Sequence, residues 1–567
     1  MDDETMSRFT FSTIIRRAGA ALAAAPAASP LARWRHLLDV RRGALLAAGI
    51  AVVALNVVFH TVHLASAPGW DPQEGYNLDL AWNLVHGRWR LFALTSAFGQ
   101  HPPLFYLQLA VLIHVLGYSI ATIRALAGAY AILTCVGLLG LGWRLLGAGP
   151  ALWAGLVYTC APFFLANTRW GYSYSQLMFV TLLCVWALWR YAESRRKRWL
   201  IVAALVAGFA VLSDYEGIAL VALVALFAWT IHRRDVLLAV AVSLALPVIG
   251  LVVGLVAAPH VFGADLLDTF GRATGASPLL SIVEALINYY RAVTLDVWIV
   301  LGMVGLLLVR APRVRAVLWP ATGLLGLFIL TVREIGPSFH TALPLIPLLA
   351  LGTGVALDGA VRQLYAWAAG AQSAAPPRDD AQTDRIAAPW LRVRARNAAA
   401  ALVVFVVVIS PLAIALAGDA AGLATTLPTR DDAVLATAPQ DAQAAAGYVL
   451  AHARPGDLTL GSPQVVWMLD QPEDARGRTR PLYSADLLQT LAYQGRAAAF
   501  YPAGLPPQRW AYAVSLGRAR YVIVDDLLRR LAAPGQVDGL AQILAAVETW
   551  PLVYHHGEYA LYERPHT

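Results

Sequence analysis

The sequence predicts an all-α polytopic membrane protein of about eleven transmembrane helices with a small α/β domain at its C-terminal end, and three observations predict it. The 567 residues are 58% hydrophobic and only 14% charged, with a mean hydropathy of +0.58, which is more apolar surface than a water-soluble core can hide. Apolar runs recur through the first three quarters of the chain, many close to the roughly 20 residues that a helix needs to cross a bilayer. After residue 419 the pattern changes to short apolar strands and helical stretches bounded by Pro and Gly.

Charge placement supplies the threading. The formal net charge is +8, but the basic residues fall in short clusters between apolar runs, which is a topology signal rather than a nucleic-acid surface. Arg16, Arg17, Arg33, Arg35, Arg41 and Arg42 precede the first span, 43–66, so residues 1–42 read as a cytoplasmic basic tail. That span is too long for a signal peptide, and no small-residue cleavage site follows it. Further clusters at Arg144, 190–198, 232–234, 310–315 and 362–396 are also read as cytoplasmic. The spans consistent with them are 120–146, 150–168, 175–192, 199–214, 216–232, 235–258, 294–310, 315–332, 338–358 and 396–418. Residues 104–117 are too short to span, and counting them would turn 190–198 outward, so they read as an interfacial or re-entrant helix. The helical domain then covers 43–418, with an outer loop at 67–119 and a low-complexity cytoplasmic loop at 359–395.

The same threading turns 67–119, the turns 167–173, 214–216 and 333–339, the loop 259–293 and everything after 419 to the outer side. Residues 419–567 form the extracytoplasmic α/β domain, with strands in LTLGS, RYVIVDD, PLVYHH and YALYER and a helix at 536–547. Asp525 and Asp526 end a strand and read as its solvated end; His555 and His556 are adjacent in a strand, point to opposite faces and so make no metal pair. Cys135, Cys160 and Cys184 lie within apolar runs and behave as small hydrophobes, carrying no redox information.

The loop after the first span, WDPQEGYNLDLAWNLVHG, holds Asp71 and Glu74. Asp-Pro-x-Glu is a helix start, with Asp71 as N-cap, Pro72 at the first helical position and Glu74 closing a capping box. A carboxylate held rigidly in this way is also suited to act as a general base or a metal ligand. Polar groups at the other outward ends are His101, Arg124, Arg169 with Tyr172 and Tyr174, and Arg333 with His340. Each alone reads as a snorkelling anchor; together they suit a reaction with a base at one end and a phosphate cradle at the other.

The ordered set WDPQEGYNL, HPPLFYLQ, GYSIATIRALAGAYA, TRWGYSYSQLMF and FHTALPLIPLLALG resembles the membrane glycosyltransferases of family 39 type. These have the GT-C fold and include the protein O-mannosyltransferases and the aminoarabinose transferases of lipid A. The resemblance covers residues 65–360. It implies inverting transfer from a polyprenyl-phosphate sugar to an acceptor hydroxyl at the outer face, with membrane lipid as partner, no nucleic acid and no nucleotide cofactor. Carried over, Asp71 is the general base and Glu74 orients it; Asp71 and Glu74 are also where a divalent cation would be held. His101, Arg169, Arg333 and His340 are the residues to neutralise the leaving phosphate, with Arg124, Tyr172 and Tyr174 as further site residues. The sequence departs from the pattern in three places. Pro72 and Gln73 separate the acidic pair, His101 replaces the Lys common before Pro-Pro in the lipid A transferases, and RWGYSYSQ lacks the second acidic residue many relatives carry.

The sequence leaves two other classes open: a transporter or flippase of a lipid-linked substrate, and a non-catalytic membrane protein with a periplasmic binding domain. The first should show internal repeats and broken helices in matching halves, which the sequence does not display. The second would not need the charges gathered at 71–124 and 333–340. High alanine content points to a GC-rich bacterium, and with the threading set by the basic clusters the expectation is an inner-membrane protein with a cytoplasmic N-terminus and a periplasmic C-terminal domain.

Overall fold

A computed structural model describes residues 30–66, 69–85, 102–257, 297–331, 343–373, 439–454, 457–469, 519–533 and 540–565. His101, Arg333, His340, the loop 259–293 and the expected span 396–418 lie outside them. The chain divides into two compact units, Met1–Ala51 and Val52–Thr567. The described part of the first is the beginning of helix α1, Pro30–Thr61.

In the second unit helices follow one another with short breaks: α2 Pro72–Val85, α3 Leu104–Leu116, α4 Ile120–Leu146, α5 Ala148–Cys160, α6 Pro162–Arg169, α7 Ser173–Ser194 and α8 Lys197–Ser213. They continue with α9 Ile218–Ile231, α10 Val236–Ala257, α11 Val297–Leu308, α12 Pro312–Thr331 and α13 Ile346–Ser373. The breaks have local causes. Ser119 caps α4 by accepting from the Thr122 N–H at 3.2 Å. Gly147, with φ +96°, makes the tight joint between α4 and α5.

Among the described residues, five helices are long and apolar enough to cross a membrane: Gly43–Thr61, Ile120–Leu146, Ser173–Ser194, Arg233–Val256 and Leu343–Gln363. Each overlaps an expected span, and α13 continues to Ser373, into the stretch expected as the cytoplasmic loop 359–395. The expected span at 150–168 is instead two helices, because Pro162 has no N–H to continue α5 and opens α6. The 13 residues of α3 rise about 20 Å, short of the roughly 30 Å hydrocarbon core. Val111, Leu237 and Val256 are exposed apolar side chains of the kind lipid covers. Helices α11 and α13 approach closely: a Cβ on Gly305 would lie 1.7 Å from the Gly352 carbonyl oxygen, a backbone contact that only glycine permits.

Toward the C-terminus, α14 (Pro439–His452) precedes β1 (Leu458–Leu460), α15 (Pro463–Val466), β2 (Ala519–Val524), α16 (Asp526–Leu531), α17 (Leu540–Val547), β3 (Leu552–His556) and β4 (Tyr559–Glu563). The four strands form one sheet in the order β1-β2-β4-β3. β1 and β2 run parallel, while β4 is antiparallel to both β2 and β3. Asp525 is not a solvated strand end. It is buried and caps α16, its Oδ1 accepting from the Leu528 N–H at 2.9 Å. His555 and His556 are exposed on β3, and His556 Nε2 lies 3.4 Å from Asp441 Oδ1.

Among the described residues two large apolar clusters organise this unit, beside a small one of Phe59, Cys160 and Leu165. The larger fills the space between α4–α9 and α11–α13. The other joins Trp70 and Leu78 at the start and middle of the first-loop helix to Phe105 and Ile123, and continues into Trp467 and Ile523. The sheet and the first-loop helix therefore share one core.

Candidate active site

The site is built where the end of α1, the start of α2, the first turn of α4 and the turn between α6 and α7 meet. Asp-Pro-x-Glu forms the capping box its spacing implies. Asp71 Oδ1 accepts from the Gln73 N–H at 2.8 Å, and the Asp71 N–H donates to Glu74 Oε2 at 3.1 Å. Asp71 is 3% exposed, and Glu74 and Arg124 are both 0% exposed.

Glu74 faces Arg124 in a bidentate ion pair, with Nε donating to Oε1 at 2.6 Å and Nη2 to Oε2 at 2.7 Å. Arg124 Nη1 also donates to the Leu64 carbonyl at 3.2 Å, and Nη2 to the Gly69 carbonyl. The Gly171 N–H donates to Glu74 Oε1 at 2.8 Å. Glu74 thus receives two guanidinium and two backbone donors, and a divalent cation would have to displace Arg124. A cation at Asp71 and Glu74 would compete with this guanidinium for the Glu74 carboxylate. Among the described residues no three His, Cys, Asp or Glu side chains gather as a metal would need.

The peptide of Gly171 is held from both sides, since its carbonyl accepts from Asn77 Nδ2 at 3.0 Å. Asn77 Oδ1 in turn accepts from the Tyr106 hydroxyl at 2.9 Å. A Cβ at Gly171 would stand 2.5 Å from Ile123 Cγ1, so the turn packs directly on the residue before Arg124.

Arg169 departs from the phosphate-binding expectation. It is buried, and its guanidinium donates to the carbonyls of Phe59 at 2.7 Å, Val62 at 2.6 Å and His63 at 3.3 Å, satisfying the exposed end of α1. Tyr172 and Tyr174 are also buried; their rings lie 6.3 Å apart, and Tyr172 packs against Trp170 at 5.7 Å. The structure therefore brings Asp71, Glu74 and Arg124 together, with Arg169 and Tyr172 in the adjoining turn.

Three polar groupings are not among the site residues expected from the sequence, although the turn 214–216 is placed on the outer side. Buried Asp214 accepts from the Ser173 hydroxyl at 3.2 Å, and the signal for it is the acidic turn SDYEG between two apolar runs. Gln108, Tyr130 and Gln176 form a network across α3, α4 and α7. His60 bonds to Thr168 at 3.0 Å inside the apolar helix α1. Polar side chains within apolar runs are the general signal for the last two.

This arrangement is a buried carboxylate fixed at the end of a helical bundle. A family model for dolichyl-phosphate-mannose-protein mannosyltransferases matches residues 100–261, just over a quarter of the chain. No curated protein matches the sequence. Among solved structures, ArnT from Cupriavidus metallidurans bound to undecaprenyl phosphate is similar at 17% identity and a TM-score of 0.53, over 90% of this chain and 97% of that one. The apo state of ArnT gives a TM-score of 0.52 at 17% identity, over 92% and 98% of the two chains. The archaeal oligosaccharyltransferase AglB from Archaeoglobus fulgidus, in complex with an inhibitory peptide and a dolichol-phosphate, gives 0.50 at 12% identity, over 86% of this chain and 70% of that one. The chain shares its fold, the GT-C fold, with ArnT and AglB.

Proposed function

We propose that the protein is an inverting glycosyltransferase that moves a sugar from a polyprenyl-phosphate donor to an acceptor hydroxyl at the periplasmic face of a bacterial inner membrane. The observation that carries this reading is Asp71, a carboxylate fixed by its own helix cap at one end of a GT-C bundle. The lipid phosphates named with ArnT and AglB support the donor class.

In the proposed reaction Asp71 accepts the proton of the acceptor hydroxyl as its oxygen attacks the anomeric carbon. The bond from that carbon to the phosphate oxygen breaks with inversion, and polyprenyl phosphate leaves with the electron pair. Cations aimed at the departing oxygen stabilise the transition state more than the ground state. His101, Arg333 and His340 are assigned that role on resemblance. Glu74 is assigned to orientation, since its carboxylate accepts the N–H of Asp71 itself.

The test is transfer from radiolabelled polyprenyl-phosphate sugars in membranes, comparing wild type with Asp71→Asn. Asn keeps the helix cap, so the variant should fold and transfer nothing. Transfer retained by Asp71→Asn would remove Asp71 as the base.

A further inference from the structure

The ion pair between Glu74 and Arg124 is costly to bury. Two charges with no exposed surface lose their hydration, and replacing such a pair with apolar residues of similar size is often neutral or stabilising. Stability alone is therefore a poor account of it, and its connections suggest another. Arg124 donates to Leu64, Gly69 and Glu74, all within residues 64–74, the segment that leads into and out of Asp71. Glu74 joins that segment to Gly171, and Asn77 grips the other side of the same peptide. Gly171 has no space for a side chain against Ile123, so it cannot drift toward α4 without pushing the residue next to Arg124. The loop before Asp71, the first turn of α2, the first turn of α4 and the turn after α6 form one hydrogen-bonded body.

We propose that Arg124 is a positioning residue: through Glu74 it fixes where the Asp71 carboxylate stands, and so sets the rate of the transfer step. This rests on the transferase reading above. Arg124 does not touch the reacting atoms. Its fork holds the carbonyls of Leu64 and Gly69 on the N-terminal side of Asp71 and the Glu74 carboxylate on the other, which a single ammonium could not do in the same geometry. A displacement of about 1 Å at a catalytic group is enough to cost on the order of 100-fold in rate.

The experiment uses the full-length protein in native membranes, with radiolabelled undecaprenyl-phosphate mannose and undecaprenyl-phosphate glucose as donors. It compares wild type, Arg124→Lys, Arg124→Gln and the double variant Glu74→Leu with Arg124→Met. Thermal stability and hydrogen exchange over 69–78 are read beside kcat and the donor KM. Arg124→Gln should lose both stability and turnover, since it strands Glu74. The double variant removes both charges, so it should regain stability while kcat stays about 100-fold low, with donor KM within about threefold of wild type and faster exchange over 69–78. Arg124→Lys, which keeps the charge but not the fork, should fall between. A double variant that regains both stability and turnover would reduce the pair to a structural filler and overturn the proposal. Should the double variant not fold, a folded Arg124→Lys with wild-type kcat overturns it equally. A wild type inert with both donors counts against the transferase reading and takes this inference with it, whereas an active wild type with unchanged variants overturns the inference alone.

Discussion

Asp71 and Glu74 carry the same functional group three residues apart, and their surroundings divide them. Glu74 is surrounded by four donors, while Asp71 caps the helix that presents it. The cap was legible because its partners lie within one helical turn; the Arg124 pairing was not, since nothing local in sequence links residues 50 apart. Arg169 shows the converse: a cation at the end of an apolar run reads as a phosphate ligand until the carbonyls at the end of α1 are seen to occupy it. Asp525 makes a prediction at this scale. Burial raises its carboxyl to about 6, against the pull of the hydrogen bond from the Leu528 N–H. Glu558 is raised to about 7 by burial and then by the charges of Asp525, Asp526 and Asp441. Both keep protons in the folded segment at pH values where the unfolded chain has lost them. The folded form binds more protons, so the stability of this segment falls as pH rises from about 4 to about 7 and then levels. Asp525→Asn keeps the cap of α16 and removes its charge, so protection of 519–531 in hydrogen exchange should decline less with pH than in wild type. An unchanged slope would assign the effect to other groups.

The elements were read from period and punctuation, and this worked where one run makes one element. LTLGS, RYVIVDD, PLVYHH and YALYER each contain a strand of the sheet. It failed where a run is apolar throughout but broken: 150–168 is continuous in hydropathy, yet Pro162 ends one helix and begins the next. Sequence pattern also gave no sign that the sheet shares a core with the first-loop helix, because the complementarity of distant apolar faces leaves no local trace. Trp467, just after α15, makes edge contacts with Trp70 and Tyr118, each at 5.4 Å between ring centres. Trp70 directly precedes Asp71, so this seam supports the helix that carries the carboxylate. Trp467→Ala should destabilise the region by on the order of 3 kcal/mol. Hydrogen exchange should rise over 72–85 as well as over 519–524; a rise confined to the strands would mean that the sheet and α2 are independent modules.

At the scale of the whole molecule, the fold class was set by composition and by the spacing of apolar runs, which are global properties of the sequence. The sidedness we propose rests on charge: the cluster at 190–198, between α7 and α8, should stay on the cytoplasmic side. Helix α7 is long enough to cross a membrane, so the turn before Ser173, where the Asp71 site is assembled, is separated from that cluster by one bilayer thickness. The sheet shares its core with the site and must therefore lie on the same side as Asp71. Glu548 beside the sheet and Arg196 in the basic cluster are both exposed, whereas Cys135, Cys160 and Cys184 are buried and leave a low labelling background. A membrane-impermeant maleimide should label Glu548→Cys in intact spheroplasts, and Arg196→Cys only after the membrane is opened. Labelling of both in intact cells would break the threading. The reverse pattern would put the site and the sheet in the cytoplasm, where the proposed transfer at the periplasmic face could not occur.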